Sequence, residues 1–341
     1  MKKSLLALAV LGTIAGSAAA QTNVTVYGLV DAGLIHESGR ADGRKVTELG
    51  SGIQSGSRIG FRGTEDLGGG LSAIFTIENG FQADTGAMGQ GGVLFGRQAF
   101  VGLQGGFGTV KVGRQYTPLD VMLGQIDPFA NLTTAKVSNL FAREYAARSD
   151  NAIVYATPNF SGFSADVMYG FGEVAGDNSA NRFFGGTIGY AAGPLTVRLV
   201  HQDRNPAPAV APALPAGLEH TVLGAKYNFG FATASILYGK TEQTSGAATT
   251  VDADDASIGI SVPVGAGTLM ASFTRRDDNL AANRDVNMYG LGYTYALSKR
   301  TNLYTSYGHI KNRRGTTYTV SGATEAGSGG RALAVGVRHT F

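Results

Sequence analysis

Cysteine and tryptophan are both absent from the 341-residue sequence, and only 16% of its residues are charged. Without cysteine, the chain has no disulfide framework, no cysteine-ligated metal site and no thiol nucleophile. So low a charged fraction is unusual for a soluble domain, in which about 25% of residues are charged. After residue 20, no apolar run reaches the roughly 18 residues that a membrane-spanning helix needs.

The first twenty residues have the pattern of a secretory signal peptide. Lys2 and Lys3 precede an apolar stretch at residues 4–14, and three alanines at residues 18–20 offer a cleavage site before Gln21. Residues 21–341 would then form one domain with a net charge of +1 instead of +3, which implies no nucleic-acid partner. An exported chain with 51 Gly, 14 Tyr and 17 Phe is either a transmembrane β-barrel or a soluble β protein.

Motifs for catalysis and for metal binding are missing. There is no Gly-x-Ser-x-Gly elbow, no His-Glu-x-x-His and no phosphate-binding loop, and the five histidines lack metal-ligand spacing. Asp252, Asp254 and Asp255 lack the glycine and terminal glutamate of a calcium loop, which favours a hydrated loop. We therefore expect no enzymatic activity, no metal and no cofactor.

Period-two alternation of apolar and polar residues recurs along the chain and predicts about sixteen β-strands. Short turns alternate with long polar connections, as in outer-membrane barrels. The predicted long connections are residues 38–56, 79–94, 116–148, 171–183, 203–219, 241–255 and 311–330.

The polar face of these strands is too highly charged for a dry protein core, because burial of unpaired charges is costly. A water-filled barrel interior accommodates these side chains, while the apolar face, with Tyr and Phe near the turns, suits lipid. The charged residues of the polar face are Asp31, Arg58, Arg62, Glu78, Lys111, Asp166, Arg198, Lys226 and Arg338.

Several sequence blocks resemble the Gram-negative general porins of the β-proteobacterial type, found in Neisseria, Burkholderia and Bordetella. The resemblance covers essentially all of residues 21–341. Its blocks are residues 24–33 (VTVYGLVDAG), 56–68 (GSRIGFRGTEDLG), 106–115 (GFGTVKVGRQ), 151–162, 293–301 (YTYALSKRT) and 335–341 (VGVRHTF).

This resemblance implies an all-β fold, a 16-stranded antiparallel transmembrane barrel whose third external loop folds into the lumen. It also implies an outer-membrane homotrimer, embedded in lipid, through which ions and small hydrophilic solutes diffuse. The terminal Phe341 resembles the signal that the barrel-assembly machinery reads.

Residues 116–148 occupy the place of the third loop and hold the candidate constriction acids Asp120, Asp127 and Glu144. The resemblance implies an opposing arginine-rich wall. Its candidates are Arg58, Arg62, Arg97, Lys111 and Arg148, of which Arg148 shares the parity of the lumen residues Ala152 and Val154. Arg97 instead shares the parity of lipid-facing Ala99, so it lies either beyond the bilayer or at a bulge.

A basic wall facing an acidic loop predicts a general diffusion porin with mild anion selectivity. Three alternatives stay open: a substrate-selective porin on the same fold, an outer-membrane barrel enzyme, and a soluble exported adhesin. An enzyme would need a nucleophile or an acid–histidine pair at the barrel mouth, and no such group is visible.

Overall fold

The computed structural model describes residues 23–39, 43–206, 217–246, 248–320 and 330–341. The predicted signal peptide, residues 1–20, lies outside the described residues. No helix within the described ranges is both long and apolar enough to cross a membrane.

The described chain is almost entirely β-structure, with one α-helix, α1, at Pro118–Ile126. Its strands are β1 Asn23–Ser38, β2 Val46–Ser51, β3 Arg58–Gly68, β4 Leu71–Gly80, β5 Gln98–Gly105, β6 Gly108–Tyr116, β7 Arg148–Ala156, β8 Phe163–Gly170, β9 Phe183–Ala192, β10 Leu195–Arg204, β11 Gly217–Asn228, β12 Thr233–Ser245, β13 Ala248–Val264, β14 Gly267–Asp278, β15 Val286–Ala296, β16 Thr301–Lys311 and β17 Arg331–Thr340.

Sixteen antiparallel strands close into a barrel, which confirms the predicted fold. From β3 onward each strand pairs with the next, and β17 closes the barrel against β1 in a register that runs from Leu29–Thr340 to Ser38–Arg331. Asn23, Phe341 and the short turns lie at one end, here called the turn end. The opposite, loop end carries the connections after β1, β4, β6, β8, β10, β12, β14 and β16.

The additional strand β2 lies within the predicted loop 38–56 and pairs with the loop-end half of β1. The turn-end half of β1 pairs instead with β3, and residues 52–57 between β2 and β3 leave the ladder. This kink turns inward: Ile53 is 1% exposed, and its carbonyl accepts a 3.0 Å hydrogen bond from the Thr133 amide of the loop after β6.

Alternation along each strand separates an apolar outer face from a polar inner face, as the sequence pattern predicts. Ile188, Ile236 and Ile258 on the outer face are each about 60% exposed, far more than a protein core allows. Aromatic rings cluster near the turn end: the ring centroids of Tyr227 and Phe229 lie 4.7 Å apart. Such a band bounded by aromatic residues suits the lipid bilayer and its interface.

The predicted long loop at residues 241–255 is wrong, because β12 and β13 continue through most of it as a paired hairpin. Lys240 lies opposite Asp254, with 3.6 Å between the ammonium and the carboxylate, and Thr241 pairs with Ala253. Strands pair through their backbones whether or not their outer side chains are apolar. Residues 241–255, whose polar composition suggested a loop, therefore extend the barrel wall.

Candidate functional site

The connection between β6 and β7, residues 117–147, folds into the barrel, which confirms the position expected for the third loop. Its helix α1 starts with Pro118 at its first turn, where the missing amide hydrogen costs nothing. Met122, Ile126 and Phe141 pack on Val200 and Val222 of the inner wall. This inner apolar cluster holds the loop against β10–β12 and leaves the opposite wall, β3–β7, facing open lumen.

A buried arginine anchors the far end of the same loop. Arg276 of β14 is 2% exposed, and its guanidinium lies 2.9 Å from the Glu144 carboxylate and 3.5 Å from that of Asp255. It also donates to the Leu140 carbonyl at 3.1 Å, while Asp255 accepts the Ala142 amide at 2.8 Å. Two wall residues therefore bind both backbone and side chain of the loop.

The sequence predicts five cationic residues on the wall opposite the loop, and three of them converge there. The Arg97 guanidinium donates to Glu78 at 2.7 Å, and Arg58 lies 3.9 Å from the same carboxylate. The hydroxyl of Tyr116 accepts hydrogen bonds from Arg97 at 2.6 Å and from Arg148 at 2.9 Å. We call Arg58, Arg97 and Arg148, with Glu78 and Tyr116, the arginine cluster.

The arginine positions follow from strand ends rather than from simple alternation. Arg97 immediately precedes β5 without a bulge, so its side chain is free to turn toward Glu78. A register shift between Gly113 and Gln115 gives β7 one extra residue, so Ser149 rather than Arg148 shares the inward parity of Ala152. The predicted parity of Arg148 is therefore wrong, although its side chain stacks over the Tyr116 ring at 4.4 Å.

The inward kink of residues 52–57 positions Arg58. Asp31 accepts hydrogen bonds from the Ser55 amide and from the Tyr304 hydroxyl, both at 2.5 Å. Ser55 in turn accepts a 2.7 Å hydrogen bond from Arg58 through its hydroxyl. A buried carboxylate thus orients the kink, and the kink orients the guanidinium.

Arg62 and Lys111 lie apart from the arginine cluster, toward the turn end of the lumen wall. Arg62 is 5.0 Å from the centre of the Tyr27 ring, and the Lys111 ammonium is 5.1 Å from that of Phe100. Each cation thus lies over an aromatic face, an attraction that holds it along the wall.

The three predicted loop acids have different surroundings. Asp120 accepts a 2.7 Å hydrogen bond from Tyr145; burial raises its pKa, opposed by that bond and by Arg148 and Arg97. Glu144 pairs with Arg276 and lines a pocket together with Arg148. Asp127 is 5% exposed and accepts the amide hydrogens of Asn131 and Val137. Asp120 is thus the loop acid on which the cluster arginines act most directly, and the assignment of Asp127 and Glu144 to the constriction stays a prediction.

Burial raises the pKa of Asp127 to about 7, against the opposing effect of its backbone hydrogen bonds. Because the folded loop holds this proton more tightly than the unfolded chain does, the stability of the folded state is greatest below about pH 4. It falls as the pH rises towards 7, where the buried carboxyl group must ionise. We expect Asp127→Asn, which keeps one acceptor oxygen, to flatten this part of the pH dependence. Thermal unfolding in detergent between pH 4 and 8 tests it; equal slopes in both proteins would contradict the assignment.

Glu78 and Tyr116 complete the cluster but were not among the predicted site residues, and neither was Arg276. The inward parity of Glu78 was visible in the sequence, although its contact with Arg97 was not. Arg276 belongs to an Arg-Arg-Asp-Asp run at residues 275–278, in which only the fold distinguishes the buried arginine from its exposed neighbour.

The last residue, Phe341, forms two backbone hydrogen bonds with Gly28 of β1. The Phe341 amide donates to the Gly28 carbonyl at 3.1 Å and its carbonyl accepts from the Gly28 amide at 3.3 Å, while the ring stays 47% exposed. A Cβ on Gly28 would lie 2.4 Å from this ring, so glycine is needed there.

Comparison with known proteins agrees with this geometry. The sequence model of the Gram-negative porin family matches residues 7–315. Over the full length of both chains, the sequence is 35% identical to outer membrane porin protein 32 of Delftia acidovorans and 30% identical to a major outer membrane protein P.IB of Neisseria meningitidis.

Among solved structures, the anion-selective porin from Comamonas acidovorans superposes with a TM-score of 0.83 at 32% identity, covering 94% of this chain and all of that one. A closed 16-stranded barrel, an inward third loop and full-length relatives at this identity together decide the family. The chain belongs to the Gram-negative porins, and it is an outer-membrane channel for passive diffusion.

Proposed function

We propose that the channel prefers anions mildly, and that Arg58, Arg97 and Arg148 form the basic side of its constriction. The observation that carries this proposal is the convergence of three guanidinium groups on one carboxylate, Glu78, and one hydroxyl, Tyr116. Asp120 is the loop acid that faces them. Excess positive charge in a narrow, low-dielectric passage attracts anions and sorts permeants by charge.

The solved relative from Comamonas acidovorans is described as anion-selective, which supports the same preference here. The test is the reversal potential of purified protein in planar bilayers across a tenfold KCl gradient. We expect stepwise current increases, each proportional to the applied voltage. The reversal potential should have the sign that chloride diffusion produces, and its magnitude should lie below the limit of about 59 mV for an ideally selective monovalent pore. A potential of the opposite sign would reject anion preference, and the absence of steps would reject the channel.

We also propose that the mature protein begins at Gln21, assembles as a homotrimer and presents Phe341 to the barrel-assembly machinery. The exposed apolar outer wall supports assembly within the membrane, and the exposed Phe341 ring at the turn end is accessible for recognition. Amino-terminal sequencing and the mass of the detergent-solubilised particle check the first two statements. Loss of heat-modifiable protein from membranes on deletion of Phe341 checks the third.

The channel needs no chemical step, and we propose that the protein has no catalytic activity. Ions and small hydrophilic solutes cross by diffusion through the water-filled lumen. A hydrolase assay on the pure protein tests this statement directly.

A further inference from the structure

A cavity of about 210 Å³ lies in the lumen on the turn-end side of the arginine cluster, between helix α1 and the inner wall of β5–β8. Tyr116, which belongs to the arginine cluster, also lines this cavity, so the two adjoin. Its polar lining consists of Lys111, Asp166, Gln98, Gln115 and the Tyr116 hydroxyl. The proposed function uses none of the first four groups.

Lys111 and Asp166 supply opposite charges to this cavity without pairing with each other. They lie on β6 and β8, on either side of β7, and Lys111 lies opposite Val154 whereas Asp166 lies opposite Ala156. Two strand spacings across and two residues along the strand separate their backbones by about 12 Å. Within the described residues, neither takes part in a salt bridge. Lys111 lies over the Phe100 ring, and Asp166 accepts one long hydrogen bond, 3.3 Å, from Thr187.

Gln115 borders the cavity but keeps its side-chain oxygen away from it. Gln115 is 2% exposed, and among the described residues its side-chain oxygen has no hydrogen-bond partner although it is buried. Its amide nitrogen makes only two long contacts, 3.4 and 3.5 Å, with backbone carbonyls. The side-chain oxygen has almost no accessible surface, so it is closed off from the cavity, and Gln115 lines the wall without contacting a solute through it.

The remaining lining is apolar. Val121 of α1 exposes 45% of its surface although it lies inside the barrel, and Val154 and Met168 lie opposite each other in the wall. A solute that fits this cavity therefore carries an anionic end, a cationic end and a small apolar part.

We propose that the cavity is a subsite for small zwitterionic α-amino acids, with the solute carboxylate at Lys111, its ammonium at Asp166 and its side chain against Val121 and Met168. The inference rests on the proposed channel function and adds a solute class to it. Asp166 repels a simple anion, and a neutral sugar gains no attraction from either charge. Arg198 also acts on Asp166, but it forms no salt bridge with it within the described residues.

Three solutes of nearly equal size separate the possibilities. L-Alanine is zwitterionic at pH 7, lactate keeps only the carboxylate, and lactamide is neutral. Each is titrated against the KCl conductance of the purified channel in planar bilayers at matched viscosity. We expect L-alanine to lower the conductance saturably at concentrations at which lactate and lactamide do not.

Lys111→Gln and Asp166→Asn should each raise the half-effect concentration of L-alanine roughly tenfold, as for loss of one charge-assisted hydrogen bond. The matched control is Lys226→Met, which removes the same charge from β11, where the ammonium donates to the Gln125 carbonyl at 2.6 Å, and Lys226 is not among the residues that line this cavity. Equal effects of alanine and lactamide, equal effects of alanine and lactate, or unchanged titrations in both variants would overturn the subsite. Wild-type protein without conductance would instead overturn the channel itself.

Discussion

Replacing both Arg97 and Arg148 with glutamine is expected to reverse the sign of the reversal potential. Arg97 is hydrogen-bonded to Glu78, whose side chain is only 4% exposed, so its loss removes a cation and leaves a carboxylate without its closest partner. Arg148 contributes the second charge at Tyr116. The arginine cluster would then keep Arg58 against Glu78, with Asp120 of the loop facing it, so the net charge at this level of the lumen would be negative and would attract cations.

Arg114→Gln is the matched control for this experiment. Arg114 lies on β6 near the arginine cluster in sequence, but its guanidinium pairs with the exposed Asp150 and donates to the Gly96 carbonyl, and it contacts neither Glu78 nor Tyr116 within the described residues. We expect its reversal potential to equal that of the wild type. If the double variant retains the wild-type potential, or the control shifts equally, the charge selectivity does not arise in the arginine cluster.

The second large effect is expected from Arg276→Met. Asp255 is fully buried, and removal of Arg276 leaves this carboxylate and Glu144 without their cation. Breaking a buried ion pair from one side typically costs about 3–5 kcal/mol. The loop would lose the Leu140 contact as well, so we expect a lower unfolding temperature and a single-channel current that fluctuates between levels.

Two further variants distinguish loop anchoring from general damage. Arg275→Met removes the neighbouring exposed arginine, which pairs with Asp277 and Asp285, and surface pairs of this kind contribute little, about 1 kcal/mol or less. Adding Asp255→Asn to Arg276→Met removes the uncompensated carboxylate and should restore part of the stability. Steady currents in Arg276→Met would show that the loop does not depend on this anchor.

Most of the wall could be predicted from the sequence, because a strand exposed to water on one side and lipid on the other must alternate with period two. The strand prediction was wrong where strands leave the lipid or depart from regular alternation. Polar residues 241–255 lie mostly on a hairpin beyond the apolar band, and one extra residue in β7 reverses the parity on which the placement of Arg148 was based.

The candidate site was less predictable, because its residues come from distant parts of the chain. Asp127 and Glu144 have the composition expected of constriction acids, yet one caps backbone amides inside the loop and the other binds a wall arginine. Nothing near either residue in sequence distinguishes these roles from that of Asp120. The partner of Glu144 is 132 positions away along the chain.

Local alternation in the sequence by itself determined that this chain forms a barrel with a charged lumen, since each strand must satisfy two solvents independently of its neighbours. Only the tertiary structure decided which charges meet. Closure of the barrel brings Arg58, Arg97 and Arg148 from three strand ends to one carboxylate and one hydroxyl. Folding of the third loop places Asp120 before them and leaves Lys111 and Asp166 facing a cavity. Electrostatic interactions depend on distance in space, which the order of residues along a strand does not specify.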